Sequence, residues 1–154
     1  MSQVSRFQTL VGRSIRFWFP NTKILENYRP DWLKGMELDF YFPDFRVGVE
    51  VQGTQHYLFV PEMQGTVENF TAQRKRDQLK RRLAAQEKVK VITISSFDGI
   101  YKKFRNAFPN RSFPLLPLGL KADWESYKKL IHENKKTKWT SFKVKKSGEV
   151  IKTR

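Results

Sequence analysis

The chain of 154 residues carries a formal net charge of +15, from 30 Lys and Arg against 15 Asp and Glu. This length suits one domain with a hydrophobic core and is too short for two domains of ordinary size. The absence of cysteine excludes disulfides and thiolate metal sites, and no apolar run approaches the ~18 residues of a membrane span. The twofold basic excess predicts a polyanionic partner, and we expect nucleic acid, no membrane and a cytoplasmic protein.

The first third of the chain predicts a helix, a short strand and a hairpin. The helix is indicated by apolar residues at helical spacing, which are Val4, Phe7, Val11, Ile15 and Trp18. It should end before Phe19-Pro20, because proline disfavours the helical conformation in the residue before it. A short strand is expected within residues 22–28.

Two strands joined by a turn at residues 43–45 form the predicted hairpin. Residues 36–42 alternate, so we expect one face to hold Met36, Leu38, Phe40 and Phe42, and the other Glu37, Asp39 and Tyr41. Residues 46–52 form the second strand, with Glu50 and Gln52 on the face opposite to three valines. A tight hairpin would set Asp39 roughly opposite Glu50.

The remainder predicts a long helix over residues 68–87, which lack Gly and Pro, then a strand over 88–94 and a short helix over 98–108. A proline-containing connector follows at 109–120. Residues 121–154 hold eleven Lys and Arg against four acids, and predict a helix over 123–135 and a hairpin that turns at Ser147-Gly148.

These elements predict an α/β (mixed α+β) fold in which helices flank a central mixed sheet. We expect a core over residues 1–108, the connector over 109–120, and a basic C-terminal helix and hairpin over 121–154.

Acidic residues gather in one part of this basic chain. Six of the fifteen lie within residues 26–50, and they are Glu26, Asp31, Glu37, Asp39, Asp44 and Glu50. Carboxylates crowded together repel one another unless a cation lies between them. Asp39 and Glu50 are placed to hold one, the Val51 carbonyl can add a ligand, and Glu37 can bind through water or a second ion. Such a metal would acidify a bound water for phosphodiester hydrolysis. The alternative is a set of solvated residues on an exposed strand.

Asp39, followed after ten intervening residues by Glu50-x-Gln52, resembles the PD-(D/E)XK signature of restriction-endonuclease-like nucleases. The wider pattern of Glu-Leu-Asp-Phe-Tyr from Glu37, Gly-x-Gln-His-Tyr around His56 and Arg-x-Arg-Asp-x-x-Lys ending at Lys80 is similar to small phage and bacterial endonucleases. These include relatives of very-short-patch repair nucleases, homing endonucleases and Holliday-junction resolvases. The resemblance covers roughly residues 4–97.

The resemblance implies a restriction-endonuclease-like core, cleavage of DNA that depends on Mg²⁺ (for which Mn²⁺ can substitute), and Asp39, Glu50 and the Val51 carbonyl as ligands. It also implies a bacterial or phage-infected cell as the setting. Gln52 replaces the lysine of the motif; an amide can orient a water molecule but carries no positive charge. We expect Lys80 of the long helix to supply that charge, or else to be one more cation that faces phosphate.

Two further positions are left open by the sequence. The first helix has no glutamate, and Glu26 is either a substitute for that residue or a surface residue of its strand. His56 is either a proton carrier near the site or a structural group. Asp77 lies four residues before Arg81, and we expect the two to pair on the long helix.

Basic residues outside the acidic cluster are candidates for phosphate contacts, which give affinity without reading sequence. They are Arg74, Lys75, Arg76, Arg81 and Arg82 on the long helix and Lys143, Lys145 and Lys146 in the tail.

Three hypotheses for function follow. The first is a Holliday-junction resolvase that cuts branched or four-way-junction DNA as a homodimer, so that two sites cut two strands. The second is a site-specific homing or mismatch-repair endonuclease on the same core. The third is a non-catalytic nucleic-acid-binding protein, motivated by Gln52.

Overall fold

The structure, a computed structural model, combines helices with short strands. The structure describes residues 5–52, 58–59, 67–137, 142–144 and 150–152. The elements, in chain order, are α1 (Arg6–Trp18), β1 (Leu25–Tyr28), a 3-10 turn (Asp31–Leu33), β2 (Leu38–Phe42), β3 (Val47–Val51), β4 (Leu58–Phe59), α2 (Val67–Gln86), β5 (Lys90–Ile94), α3 (Phe97–Ala107), α4 (Leu118–Thr137), β6 (Phe142–Val144) and β7 (Val150–Lys152).

The central sheet has the strand order β1-β2-β3-β5. Strands β1, β2 and β3 are antiparallel neighbours, whereas β5 runs parallel to β3, with Val47 opposite Lys90 and Val51 opposite Ile94. Parallel neighbours need a crossover connection, and the segment that contains α2 provides it. The predicted mixed sheet flanked by helices is therefore confirmed.

Helices pack on both faces of this sheet. One face carries the larger hydrophobic cluster, in which the aromatic residues of α1, α3 and α4 surround Phe40, Phe42 and Ile94. The other face carries a smaller cluster in which Leu83 of α2 packs near Tyr41. The side chain of Ser5 caps α1 by accepting a hydrogen bond from the Gln8 N–H at 3.0 Å, and the helix ends at Trp18, as the proline at position 20 predicts.

The predicted single alternation of residues 36–42 is wrong at its start. Leu38 is fully buried in the smaller cluster with Tyr41, and Met36 packs against the same cluster, whereas Phe40 and Phe42 lie in the larger one. The space for Leu38 comes from Gly48, where an added Cβ would stand 2.9 Å from Leu38 Cδ1. Leu38, the first residue of β2, therefore departs from the alternation that Phe40 and Phe42 follow.

Helix α4 packs as part of the central core. Trp124 has no exposed surface and its indole N–H donates a hydrogen bond of 3.0 Å to the Ser14 hydroxyl of α1. The helix begins at Leu118, within the segment predicted as connector. Its burial places α4 in the same hydrophobic cluster as α1 and α3, and the predicted division of the chain at residue 120 stays a prediction.

The predicted C-terminal hairpin is confirmed as a pair of antiparallel strands, β6 and β7. Strand β6 also pairs with β4, so the three strands form a second sheet in the order β4-β6-β7. Ser147 and Gly148 lie outside the described residues. Within the part of the chain that the structure covers, no helix is long and apolar enough to cross a membrane.

Candidate active site

A cleft of about 330 Å³ opens between helix α2 and the ends of β2 and β3. Both acidic residues of the predicted hairpin line it, together with Lys80 of α2. Because Tyr41 pairs with Gly48 in the antiparallel register, Asp39 and Glu50 project from the same face of the sheet. The structure thus brings Lys80 of α2 to the two acidic residues of the hairpin.

Asp39 is held at the point where β2 leaves β3. Its Oδ2 accepts a hydrogen bond of 2.7 Å from the Val51 backbone N–H. The carboxylate therefore accepts where a backbone carbonyl of a neighbouring strand would otherwise do so. Burial raises the pKa of Asp39, against the lowering effects of the Val51 N–H, of Lys80 and of a hydrogen bond with Glu50. Desolvation therefore outweighs three stabilising neighbours.

Glu50 and Lys80 form an ion pair in the floor of the cleft. Lys80 Nζ lies 2.9 Å from Glu50 Oε1, and the two side chains are only 14% and 13% exposed, respectively. Burial nevertheless raises the pKa of Glu50 to about 8, because the loss of water outweighs the attraction of Lys80 and because Asp39 and Asp77 add negative charge. Although Lys80 is at hydrogen-bonding distance, Oε1 is a buried oxygen that accepts no well-directed hydrogen bond.

Glu37 and Arg29 lie at the edge of the same cleft. Arg29 Nε stands 2.9 Å from Glu37 Oε2, so Glu37 is neutralised by a cation in this structure. Its charge still raises the pKa of Asp39. Glu37 precedes β2. It acts on Asp39 through its charge, whereas Asp39 and Glu50 share a hydrogen bond.

The donor set fits a hard divalent cation. Two carboxyl groups in mutual contact, a buried carboxylate oxygen without a well-directed donor and the adjacent Val51 offer oxygen ligands of the kind that Mg²⁺ prefers. Among the described residues there is no group of three or more His, Cys, Asp and Glu that could hold an ion. A metal here would depend on the Val51 carbonyl and on water for its remaining ligands.

Gln52 lies at the end of β3, next to the cleft. Its backbone N–H donates to the Ile94 carbonyl at 2.9 Å, which ties the ends of β3 and β5 together. The residue is 9% exposed, and it is Val51, not Gln52, that belongs to the described cleft wall. The predicted water-orienting role of Gln52 stays a prediction.

Glu26 faces away from the cleft. It pairs in register with Phe40 and its Oε1 lies 2.7 Å from Arg16 Nη2 of α1, with both side chains half exposed. Because Phe40 belongs to the opposite face of the sheet from Asp39, Glu26 does not join the two carboxyl groups. His56 lies outside the described residues.

The basic residues of α2 surround the cleft and continue beyond it. All five predicted phosphate-binding residues of this helix are exposed, and they are Arg74, Lys75, Arg76, Arg81 and Arg82. Arg76 also lines the cleft. Arg81 reaches the sheet, where its guanidinium donates to the Thr93 hydroxyl at 2.5 Å. The side chains of Lys143, Lys145 and Lys146 are outside the described part of the chain.

Sequence reasoning missed the part that Arg29 and Asp77 play in this cleft. Asp77 lines the cleft and raises the pKa of Glu50, whereas its expected pairing with Arg81 stays a prediction. The signal was available, because Asp77 precedes Lys80 by three residues and shares its helix face. Arg29 belongs to a loop, whose position no periodic pattern indicates.

Comparisons with known proteins add one similarity. The chain is 35% identical over 85 residues to "Uncharacterized protein 307L" of Invertebrate iridescent virus 6, an alignment that covers 48% of this chain and 43% of the viral protein. The chain thus spans less than half the length of the curated relative it matches. No protein-family model and no solved structure matches it.

Proposed function

We propose that this protein is a metal-dependent endodeoxyribonuclease that hydrolyses phosphodiester bonds. The observation that carries the proposal is the contact of Asp39, Glu50 and Lys80 in one cleft. The net charge of +15 and the exposed cations of α2 supply a surface for the DNA backbone. Two buried carboxyl groups and an ammonium are a costly arrangement in a cleft wall, and a catalytic role accounts for it.

In this proposal Asp39, Glu50 and the Val51 carbonyl hold Mg²⁺, or Mn²⁺ in its place. The bound ion supplies an acidified water molecule and positive charge at the scissile phosphate. Glu50 would have to be ionised to serve as a ligand, with its proton released to solvent. The Val51 N–H fixes the orientation of Asp39.

Lys80 has a second task in the proposed reaction. Its ammonium lies 2.9 Å from Glu50 Oε1 and would stand beside the reacting phosphate, where it would stabilise the charge that develops on the oxygens. Lys80 would thereby supply the positive charge of the motif lysine, whose position in this chain is occupied by Gln52. Arg76 and Arg29 at the cleft edge are placed to contact the neighbouring backbone phosphates.

For the substrate we propose branched DNA, a four-way junction above all, cut by a homodimer in the cytoplasm. A phosphate-binding helix beside the acidic cluster supports recognition of backbone shape, since phosphate contacts carry no sequence information. A site-specific homing or repair endonuclease would use the same cleft and differ in its substrate preference. The buried carboxyl pair supports a catalytic protein over a non-catalytic binding protein.

The test is cleavage of matched DNA substrates by the purified protein. We expect Mg²⁺-dependent cutting of a four-way junction in preference to linear duplex, single-stranded and flap DNA of the same sequence. EDTA should stop it, and Asp39→Asn should abolish it while the protein still binds DNA. Cutting of one linear sequence at a fixed position would favour the site-specific alternative. Binding without any cutting in Mg²⁺ or Mn²⁺ would overturn the nuclease proposal.

A further inference from the structure

Arg29 and Glu37 face each other where strands β1 and β2 separate. The antiparallel register ends with Tyr28 opposite Leu38, so Arg29 and Glu37 are the next residues along the two strands. Arg29 Nε lies 2.9 Å from Glu37 Oε2, and both residues line the acidic cleft together with Asp39. An ion pair therefore lies at the edge of the cleft that we propose as the place of the reacting phosphate.

The two partners of this ion pair differ in their freedom to move. The side chain of Arg29 is 63% exposed, whereas that of Glu37 is 21% exposed. The backbone of the intervening loop is anchored, because Leu33 is fully buried in the smaller hydrophobic cluster. An exchange of partners therefore needs only a movement of the Arg29 side chain. Exposed ion pairs contribute little to stability, and a phosphate can accept two hydrogen bonds from a guanidinium, so a DNA phosphate can replace Glu37.

A divalent cation in the cleft would weaken the pair of Arg29 and Glu37. The Glu37 carboxylate is close enough to Asp39 for its charge to raise the pKa of that carboxyl. A cation held by Asp39 and Glu50 would therefore attract Glu37 and repel Arg29, because both interactions act over the same short range. Both effects separate the pair and leave the guanidinium available to an anion outside the cleft wall.

We infer that Glu37 competes with a DNA backbone phosphate for Arg29, and that a divalent cation in the acidic cleft shifts this competition toward the phosphate. Arg29 is then a phosphate-binding residue, and Glu37 is a positioning residue that withholds it from DNA until the cation is bound. The cation and the substrate are those of the proposed nuclease, on which this inference rests. Because coupling between two ligands is reciprocal, DNA would also raise the affinity of the cleft for the cation.

The test is a double-mutant cycle of DNA binding, measured by fluorescence anisotropy at constant ionic strength, first in EDTA and then in Ca²⁺. In EDTA, Glu37→Gln should tighten binding at least ~5-fold, the lower end of coupling between sites, because Arg29 is released. In an Arg29→Ala background the same substitution should have a much smaller effect, since only the repulsion between Glu37 and phosphate is removed. Ca²⁺, which seeks oxygen ligands, should tighten binding of the wild type at least ~5-fold and of Arg29→Ala much less.

Glu26→Gln is the matched control. Glu26 forms an ion pair of the same kind with Arg16, with Oε1 2.7 Å from Nη2, and both side chains are half exposed. Glu26 faces away from the cleft, since it pairs in register with Phe40 of the opposite sheet face. The variant removes the same charge and releases an arginine at a distance from the cleft, so its response to Ca²⁺ should equal that of the wild type.

The outcomes separate this inference from the proposed function. Equal effects of Glu37→Gln with and without Arg29 would overturn the exchange, whether or not the protein cuts DNA. A response to Ca²⁺ that Arg29→Ala keeps in full would also overturn it, because the cation would then act only by neutralising carboxyl groups. The expected cycle in a protein that cuts no DNA in Mg²⁺ or Mn²⁺ keeps the exchange and overturns the nuclease. Circular dichroism identifies a variant that fails to fold, and Arg29→Gln then replaces Arg29→Ala.

Discussion

Lys80 and Glu50 meet in the cleft with Nζ 2.9 Å from Oε1, although one belongs to helix α2 and the other to strand β3. Both side chains are almost entirely buried. Burial raises the pKa of the Glu50 carboxyl to about 8, against the attraction of the Lys80 ammonium. Burial of Glu50 thus favours its protonated form, whereas the proposed cation would need the ionised form as a ligand.

The position of Lys80 leads to the first prediction. If its ammonium stabilises the reacting phosphate, Lys80→Ala should lower the single-turnover cleavage rate at saturating protein by at least ~10-fold, or about 1.4 kcal/mol of transition-state stabilisation. Lys75→Ala is the matched control, since Lys75 is an exposed cation of the same helix. It should weaken DNA binding and leave the saturated rate unchanged. Equal saturated rates for Lys80→Ala and the wild type would exclude the catalytic role.

Gln52 leads to a second prediction. If its amide orients the attacking water, Gln52→Ala should slow cleavage while Mg²⁺ still binds, because the carboxyl ligands are untouched. Binding is measured by the rise that Mg²⁺ causes in the unfolding temperature, and cleavage in single turnover. A variant that cuts at the wild-type rate would assign Gln52 to the connection between β3 and β5 alone.

The raised pKa of Glu50 predicts that the metal-free protein loses stability as the pH rises. The carboxyl has an ordinary pKa of 4.5 and a folded-state pKa of about 8. Below pH 4.5 Glu50 is protonated in both the folded and the unfolded state, and its contribution to the free energy of unfolding is fully present. From there to about pH 8 the unfolded state binds fewer protons, so the free energy of unfolding falls by at most ~1.4 kcal/mol per pH unit. Above the folded-state pKa the contribution is lost.

Denaturant unfolding in EDTA, at several pH values between about 5 and 8.5, measures this dependence. Glu50→Gln removes the proton and keeps the size of the side chain, so its stability should fall less steeply over this range. The pKa of Asp39 is also raised by burial and should leave a residual slope of the same sign. Parallel curves for the wild type and Glu50→Gln would show that Glu50 does not hold the proton.

Much of this architecture could be predicted from local pattern. Alternation located β2 and β3, and their antiparallel register follows from a short turn, so the approach of Asp39 and Glu50 was foreseeable. The contact of Glu50 with Lys80 was foreseeable only in part. The resemblance indicates that a lysine on the following helix can replace the lysine of the motif. Its distance from Glu50 depends on how α2 packs on the sheet, which periodicity does not specify.

Other features depend on tertiary contacts that leave no local signal. Leu38 departs from the alternation because Gly48 on the neighbouring strand leaves space for it. Trp124 joins the core because Ser14 of α1 accepts its indole N–H across 110 residues of sequence. The Pro-containing segment suggested a division of the chain, yet this hydrogen bond and the surrounding rings connect both sides of that segment.

Gly48 leads to a fourth prediction. A Cβ at this position would lie 2.9 Å from Leu38 Cδ1, so Gly48→Ala should destabilise the protein by about 1–3 kcal/mol through overpacking. Because Leu38 adjoins Asp39, cleavage should fall as well. Gly119→Ala is the control, since Gly119 lies in helix α4 with nothing within 4 Å of the added Cβ. It should be neutral or stabilise the protein by up to ~1 kcal/mol. Equal unfolding free energies for both variants would mean that Leu38 moves without cost.

The exposed cations of α2 lead to the last prediction, which concerns salt dependence. If Arg74 and Arg76 each neutralise a duplex phosphate, the slope of log K against log salt should become shallower by ~0.9 for each of the two that is replaced with alanine. The double variant should lose about twice as much, because the two contacts are separate. Lys103→Ala removes an exposed cation from α3, on the other face of the sheet, and should leave the slope unchanged. Binding is measured by fluorescence anisotropy in EDTA over a range of salt concentrations, so that cleavage does not interfere. A slope that is the same for the double variant and the wild type would show that DNA does not lie along α2. The DNA backbone would then have to reach the cleft from another side.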